Sequence, residues 1–180
     1  MVKRLREDRN DILEEAREII ELSRNNMKNL SRIHRGVIML LEARDFEDFI
    51  HVITMDTSAL LDTDIISLII ETEGEVVPHI NLPGVRAVMP GTVELLMKEQ
   101  TIILESNMAG IDELYGGGAG LVKSQLLLRL NISINVPPVM LAFGSRDPEM
   151  FAPGQGTEQI AFLGQVIERC FRSWLDLPQH

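Results

Sequence analysis

At 180 residues and 45% hydrophobic content, the chain is long enough for one good core and too short for two large ones. Its formal net charge of -10 is uneven, since residues 1–44 carry ten Lys/Arg against eight Asp/Glu and the remainder seven against nineteen. A strongly acidic globular part with no basic stripe argues against direct nucleic-acid binding, and the single cysteine, Cys170, rules out an intrachain disulfide and thiol-pair exchange.

Aromatic residues make up only 4%, so the core must be aliphatic, with the nine methionines as adaptable filler. No apolar run approaches the ~20 residues that span a bilayer. The N-terminus turns acidic at once, without the apolar stretch of a secretion signal. With one cysteine fitting a reducing compartment, the expected location is cytoplasmic and no membrane partner is expected.

Residues 1–43 read as a long helical arm. Leu5, Ile12, Ile19, Asn26, Ile33 and Leu40 recur every seven residues, and Arg9, Ala16, Ser23, Leu30 and Val37 fall half a heptad on. This is the pattern of a coiled-coil seam between two chains. The expected dimer seam is Leu5, Ile12, Ile19, Asn26 and Ile33, with Asn26 setting register because a buried amide needs a mate. The spacing also suits an amphipathic helix folded back on its own domain. From Leu30 onward the helix is expected to pack on the domain as well.

Residues 44–180 make the domain. Asp45 is placed to cap a second helix through Phe46, Phe49, Ile50, Val52 and Ile53. The β-branched run from Asp64 to Thr72 reads as a buried strand, Val85 to Met89 as a second, and Thr101 to Ser106 as a third. Between the last two, Pro90 opens a short helix through Lys98. Met108 to Leu114 has room for a turn or two of helix, and Gly116 to Gly120 reads as a flexible loop, with use as a lid over a cavity or as plain linker. Gln125 to Asn131 and Val139 to Phe143 are adjacent antiparallel strands, and a closing helix begins near Thr157. The expected architecture is α+β: an antiparallel sheet with the first and last helices on one face. The segment from Gly74 to Gly120 is left to make a cavity on the other face.

The passage Asn29 to Ile53, with Leu41-Glu-Ala-Arg-Asp45 between two helices, resembles the opening of GAF domains, small sensory domains of many signalling proteins. The stretch from Leu141 to Thr157, followed by the Leu163-centred helix, resembles the signature of the bacterial GAF-like domain-of-unknown-function family 484. The resemblance implies a GAF-like α+β fold behind a coiled-coil arm and brings no catalytic residues. The segment from Gly74 to Gly120 lacks the ligand motif of a cyclic-nucleotide or bilin binder.

Leu126, Leu128 and Leu130 share one strand face and should meet the helices, leaving Gln125, Leu127 and Arg129 on the other. If that second face lines the cavity, Arg129, Glu105 and Tyr115 could contact a small polar ligand; exposure to water is the plain alternative. Met97, with Met89 and Met108, could line a pliable pocket or simply fill the core. Arg146 could anchor an anion or a partner carboxylate, although its segment more simply turns at Asp147-Pro148. Gly116 to Ser124 is glycine-rich and ends in Lys-Ser, but Val122 stands where a phosphate loop needs glycine. His34, His51 and His79 lack metal-ligand spacing, so no metal is expected, and the cofactor, if any, is not legible.

The function expected is a dimeric, non-enzymatic GAF-like sensory or regulatory module. It would bind a small molecule in its cavity and signal to a partner protein through the arm, because the chain ends at His180 soon after the closing helix. The alternatives are a ligand-free protein-interaction scaffold and, third, a small-molecule enzyme using the same cavity.

Overall fold

A computed structural model describes residues 2–74 and 81–175, with side chains from Asn10 onward except that of residue 26. Helix α1 runs Val2–Leu41. Its upper part stands clear of the domain, and its lower part seats Ile33 and Leu40 in the core. The chain turns at Asp45, whose carboxylate accepts the Asp48 N–H at 2.8 Å and so caps α2, Phe46–His51. The Arg44 backbone and guanidinium donate to Asp48 and hold its carboxyl below the usual carboxylate range.

Helix α2 does not stop where its sequence pattern does. It continues through a π-helical turn, Val52–Asp56, into α3, Thr57–Leu61, which ends on Asp62 in the left-handed region at φ 56°. The hydroxyls of Thr54 and Thr57 back-bond to Ile50 O and Val52 O at 2.9 and 2.8 Å, supporting the wide turn. Asp62 pairs with Arg32 of α1 at 2.6 Å, and α1 comes close to α3 at Gly36, where a Cβ would lie 3.3 Å from Leu60.

Strands β1 (Ile65–Glu71), β2 (Val85–Val88), β3 (Ile102–Glu105), β4 (Ser124–Leu130) and β5 (Val139–Ser145) form one sheet in the order β2-β1-β5-β4-β3. Three pairings are antiparallel, as expected, with Leu127 opposite Ala142 and Ile103 opposite Leu127. The edge pair departs from the expectation: β2 lies parallel to β1, Leu68 beside Val85. Helix α4 (Thr92–Met97) follows β2. Helix α5 (Asp112–Tyr115) follows β3, and α6 (Glu158–Trp174) closes the chain.

The first and last helices share one face of the sheet, where α1, α2 and α6 bury Leu126, Leu128, Leu141 and Phe143. Phe49 meets Phe171 edge-on at a centroid distance of 4.9 Å. Helix α6 approaches β4 at Gly164, where a Cβ would stand 2.8 Å from Leu128. Thr157 begins this helix but supplies no side-chain cap.

Candidate ligand cleft

The face away from α1 and α6 is mostly filled. Val93, Met97, Leu114, Tyr115, Ala119 and Val122 pack on Ile69, Leu127, Met140 and Ala142 as a second apolar cluster. The glycine-rich stretch is correspondingly no loose lid. Gly116–Leu121 is a 3-10 helix whose Ala119 is buried, and Gly116, at φ 53°, lies so near the Arg86 guanidinium that a Cβ would stand 2.5 Å from it. Short, small side chains let this segment lie flat on the sheet.

Among the described residues, a cleft of about 210 Å³ stays open beside the part of β1 that precedes Leu68, where β2 has not yet begun. Thr54, Met55 and Ser58 of the π turn and α3 wall one side, Ser67 the floor, and Arg86 and Tyr115 the other side. Arg86 donates from Nε to Glu113 O at 2.9 Å and from Nη2 to Asp112 O at 3.2 Å, tying β2 to the one-turn helix α5. Asp64, at the rim, accepts the Arg146 N–H at 2.8 Å and pairs with its Nε at 3.2 Å. Gly84, at φ 83°, leaves room for Thr54, whose side chain would lie 2.5 Å from a Cβ there.

Tyr115 joins the cleft to the sheet interior. Its ring packs above Gly144, where a Cβ would lie 3.0 Å from the ring edge, and the hydroxyl donates to Gln125 Oε1 at 2.8 Å, with Phe143 O at 3.3 Å. Gln125 in turn donates from Nε2 to Glu105. Burial, with the Glu105 charge behind it, pushes the Tyr115 phenol well above its ordinary pKa, so it stays a neutral donor.

Of the residues singled out from sequence, Glu105 and Tyr115 are therefore brought together, through Gln125. Met97 is fully buried in the same cluster, whereas Met89 is exposed. Arg129 lies farther along β4 and is engaged by Glu94 at 3.0 Å and by Lys98 O, so it braces α4 instead of lining the cleft. Arg146 sits at the rim on Asp64, in the turn that Asp147 initiates by accepting the Glu149 N–H at 2.9 Å. Ile12 and Ile19 of the expected seam are exposed, but Ile33 is 2% exposed and belongs to the domain core, which removes it from a seam between chains. The side chains of Leu5 and Asn26, and the whole of His79, lie outside the described residues. Thr54, Ser67 and Arg86 went unnoticed in the sequence. Only the β-alternation that sets Arg86 opposite Val85 and on the same side as Val88 hinted that it lies on the face away from α1.

A wider recess of about 640 Å³ lies at the other end, under the β4–β5 connection. Of the two arginines that line it, Arg172 is spent on Ile132 O at 2.6 Å and on Asn131 O, bracing that connection, and Arg129 is the one already held by Glu94 and Lys98 O. Among the described residues no cluster of His, Cys, Asp and Glu is placed to hold a metal ion, and no helix is long and apolar enough to cross a membrane.

The model of the family described as protein of unknown function, DUF484, matches residues 1–176. The chain belongs to this family. Among solved structures it is similar to the GAF domain of Acinetobacter phosphoenolpyruvate-protein phosphotransferase, with a TM-score of 0.56 and 13% identity over 83% of this chain and 96% of that one. At that identity the likeness establishes the GAF-like fold. No curated protein matches the chain.

Proposed function

We propose that this DUF484 chain is a cytoplasmic, non-catalytic sensory or regulatory module. It takes a small polar molecule into the cleft beside β1 and passes the change to a partner protein through paired arms. The observation that carries the proposal is mechanical continuity between cleft and arm. Thr54, Met55 and Ser58 line the cleft on the same helical run that ends at Asp62, and Asp62 is tied to Arg32 of α1. A ligand that shifts the π turn would shift the footing of the arm, which is a two-state coupling of the usual kind. A binding role suits the cleft better than a catalytic one, because its two charged residues, Asp64 and Arg86, are already held in internal bonds.

The filled second face favours one other reading, a constitutive scaffold that holds a partner without a ligand. Thermal unfolding across a panel of polar metabolites separates the two, since a ligand bound only by the folded state raises the midpoint, by about 2.7 kcal/mol of stability at a hundredfold excess over Kd. A ligand whose effect disappears in Ser67→Leu supports the sensor. A panel with no stabilising compound leaves the scaffold.

A further inference from the structure

Residues 10–25 and 27–31 of α1 are exposed throughout, yet they carry large apolar side chains: Ile12 is 64% exposed, Ile19 66% and Met27 69%. With ~100° between successive residues, Ile12, Leu13, Ile19, Ile20, Met27 and Leu30 fall in an arc of roughly 120°, and the exposed Leu22 falls outside it. The arc does not end where the domain begins. Ile38 and Leu41, 54% and 68% exposed, continue it down the outer side of α1, while Ile33 and Leu40 turn inward.

The division has a geometric cause. A seven-residue phase on a straight helix drifts by about 20° per heptad. The row Ile12, Ile19, Ile33, Leu40 therefore begins on the exposed stripe and finishes against the protein's own domain. The stripe that stays exposed repeats every eleven residues instead, as Ile19, Leu30, Leu41 and as Ala16, Met27, Ile38. An eleven-residue repeat winds straight or slightly right-handed.

Charge then picks the partner and its direction. Nearest the stripe on one side lie Asp11 and Glu15, and on the other Arg17, Arg24, Lys28 and Arg35, with Glu18 and Glu21 farther round the back of the helix. Two copies related by a two-fold axis along the helices place the acidic border of each against the basic border of the other. Reversing one copy sets acid beside acid and Arg17 near Arg24 of its mate. Parallel pairing also lets Ile38 and Leu41 meet their own counterparts, which a reversed overlap of residues 10–30 would leave uncovered. Ile12, Ile19, Met27, Ile38 and Leu41, each more than half exposed, make the continuous run of apolar surface that marks an interaction site.

We infer that the arm's partner is a second copy of this chain, bound parallel and in register along residues 12–41 through the eleven-residue stripe, with both domains at the same end. This rests on the paired-arm part of the functional reading and supplies its geometry.

Single-cysteine variants Ser23→Cys, His34→Cys and Ile38→Cys in a Cys170→Ser full-length background test it, since a disulfide needs Cα atoms within about 7 Å. All three should cross-link to dimer under mild oxidation, and Asn25→Cys, on the far side of the helix, should not. Equal cross-linking of Asn25→Cys would mark random collision and overturn the inference. A dimer by sedimentation velocity in which His34→Cys and Ile38→Cys fail to cross-link would overturn parallel pairing but leave paired arms standing. A monomer in sedimentation would overturn both.

Discussion

Replacing Tyr115 by phenylalanine removes one oxygen and leaves the shape of the cleft wall almost unchanged. Tyr115 and Gln125 are 3% and 1% exposed, and the 2.8 Å bond between them is the one that Gln125 Oε1 accepts. A buried bond of this kind contributes about 1 kcal/mol net, and a buried acceptor left without its donor costs about 1–3 kcal/mol. A loss of about 1–2 kcal/mol is therefore expected for Tyr115→Phe, read as a fall of roughly 2–8 °C in Tm for a chain of this size. Urea unfolding gives the free energy directly. Combining Tyr115→Phe with Gln125→Leu should cost clearly less than the sum of the two, because each removes the other's reason for penalty. The same phenol sets an alkaline limit. Its folded-state pKa is raised, so the contribution is complete below the ordinary tyrosine value near 10 and declines as pH rises past it, the unfolded chain releasing the proton first. Because Tyr115 is the chain's one tyrosine, an ultraviolet titration reports it alone, and the native protein should ionise only as it unfolds. A phenol titrating near pH 10 in the folded protein, or a loss under about 0.3 kcal/mol in Tyr115→Phe, would refute the buried bond.

Two further outcomes follow from the packing around the cleft. Glu71 is a buried carboxylate that accepts the Val93 N–H at 2.7 Å and thereby caps α4, whose own N-cap is Gly91. Glu71→Ala should lose about 1 kcal/mol or somewhat more by denaturant unfolding, and native-state hydrogen exchange should show the loss concentrated in residues 92–97. Gly144 sits under Tyr115 with Ile65 and Val122 on either side, each 2.8 Å from where a Cβ would be. Gly144→Ala should cost about 1–3 kcal/mol through overpacking and, by lifting Tyr115, weaken any ligand taken up in the cleft.

Periodicity is a property of neighbours along the chain, so it located what neighbours decide. The cap at Asp45, the strand at Ile65–Glu71, the alternation of Leu126, Leu128 and Leu130 against Leu127, the β4–β5 hairpin and the closing helix are all legible in the sequence. The GAF-like character is legible too, from the passages Asn29 to Ile53 and Leu141 to Thr157. Three things are not. The parallel β1–β2 edge depends on where a distant strand docks, and local alternation is the same for either direction. Glycine content signals freedom, but Gly116–Leu121 uses its glycines for close approach to Arg86 and the sheet, and only the sheet could reveal that. The sequence singles out Glu105 and Tyr115 together, but that Gln125 links them, and that Arg129 stays apart, depends on three elements meeting where Gly144 leaves space for a ring. The arm shows both sides at once: its apolar repeat is written in the chain, but which row faces the domain and which faces outward was decided by the drift of a straight helix across a fixed sheet.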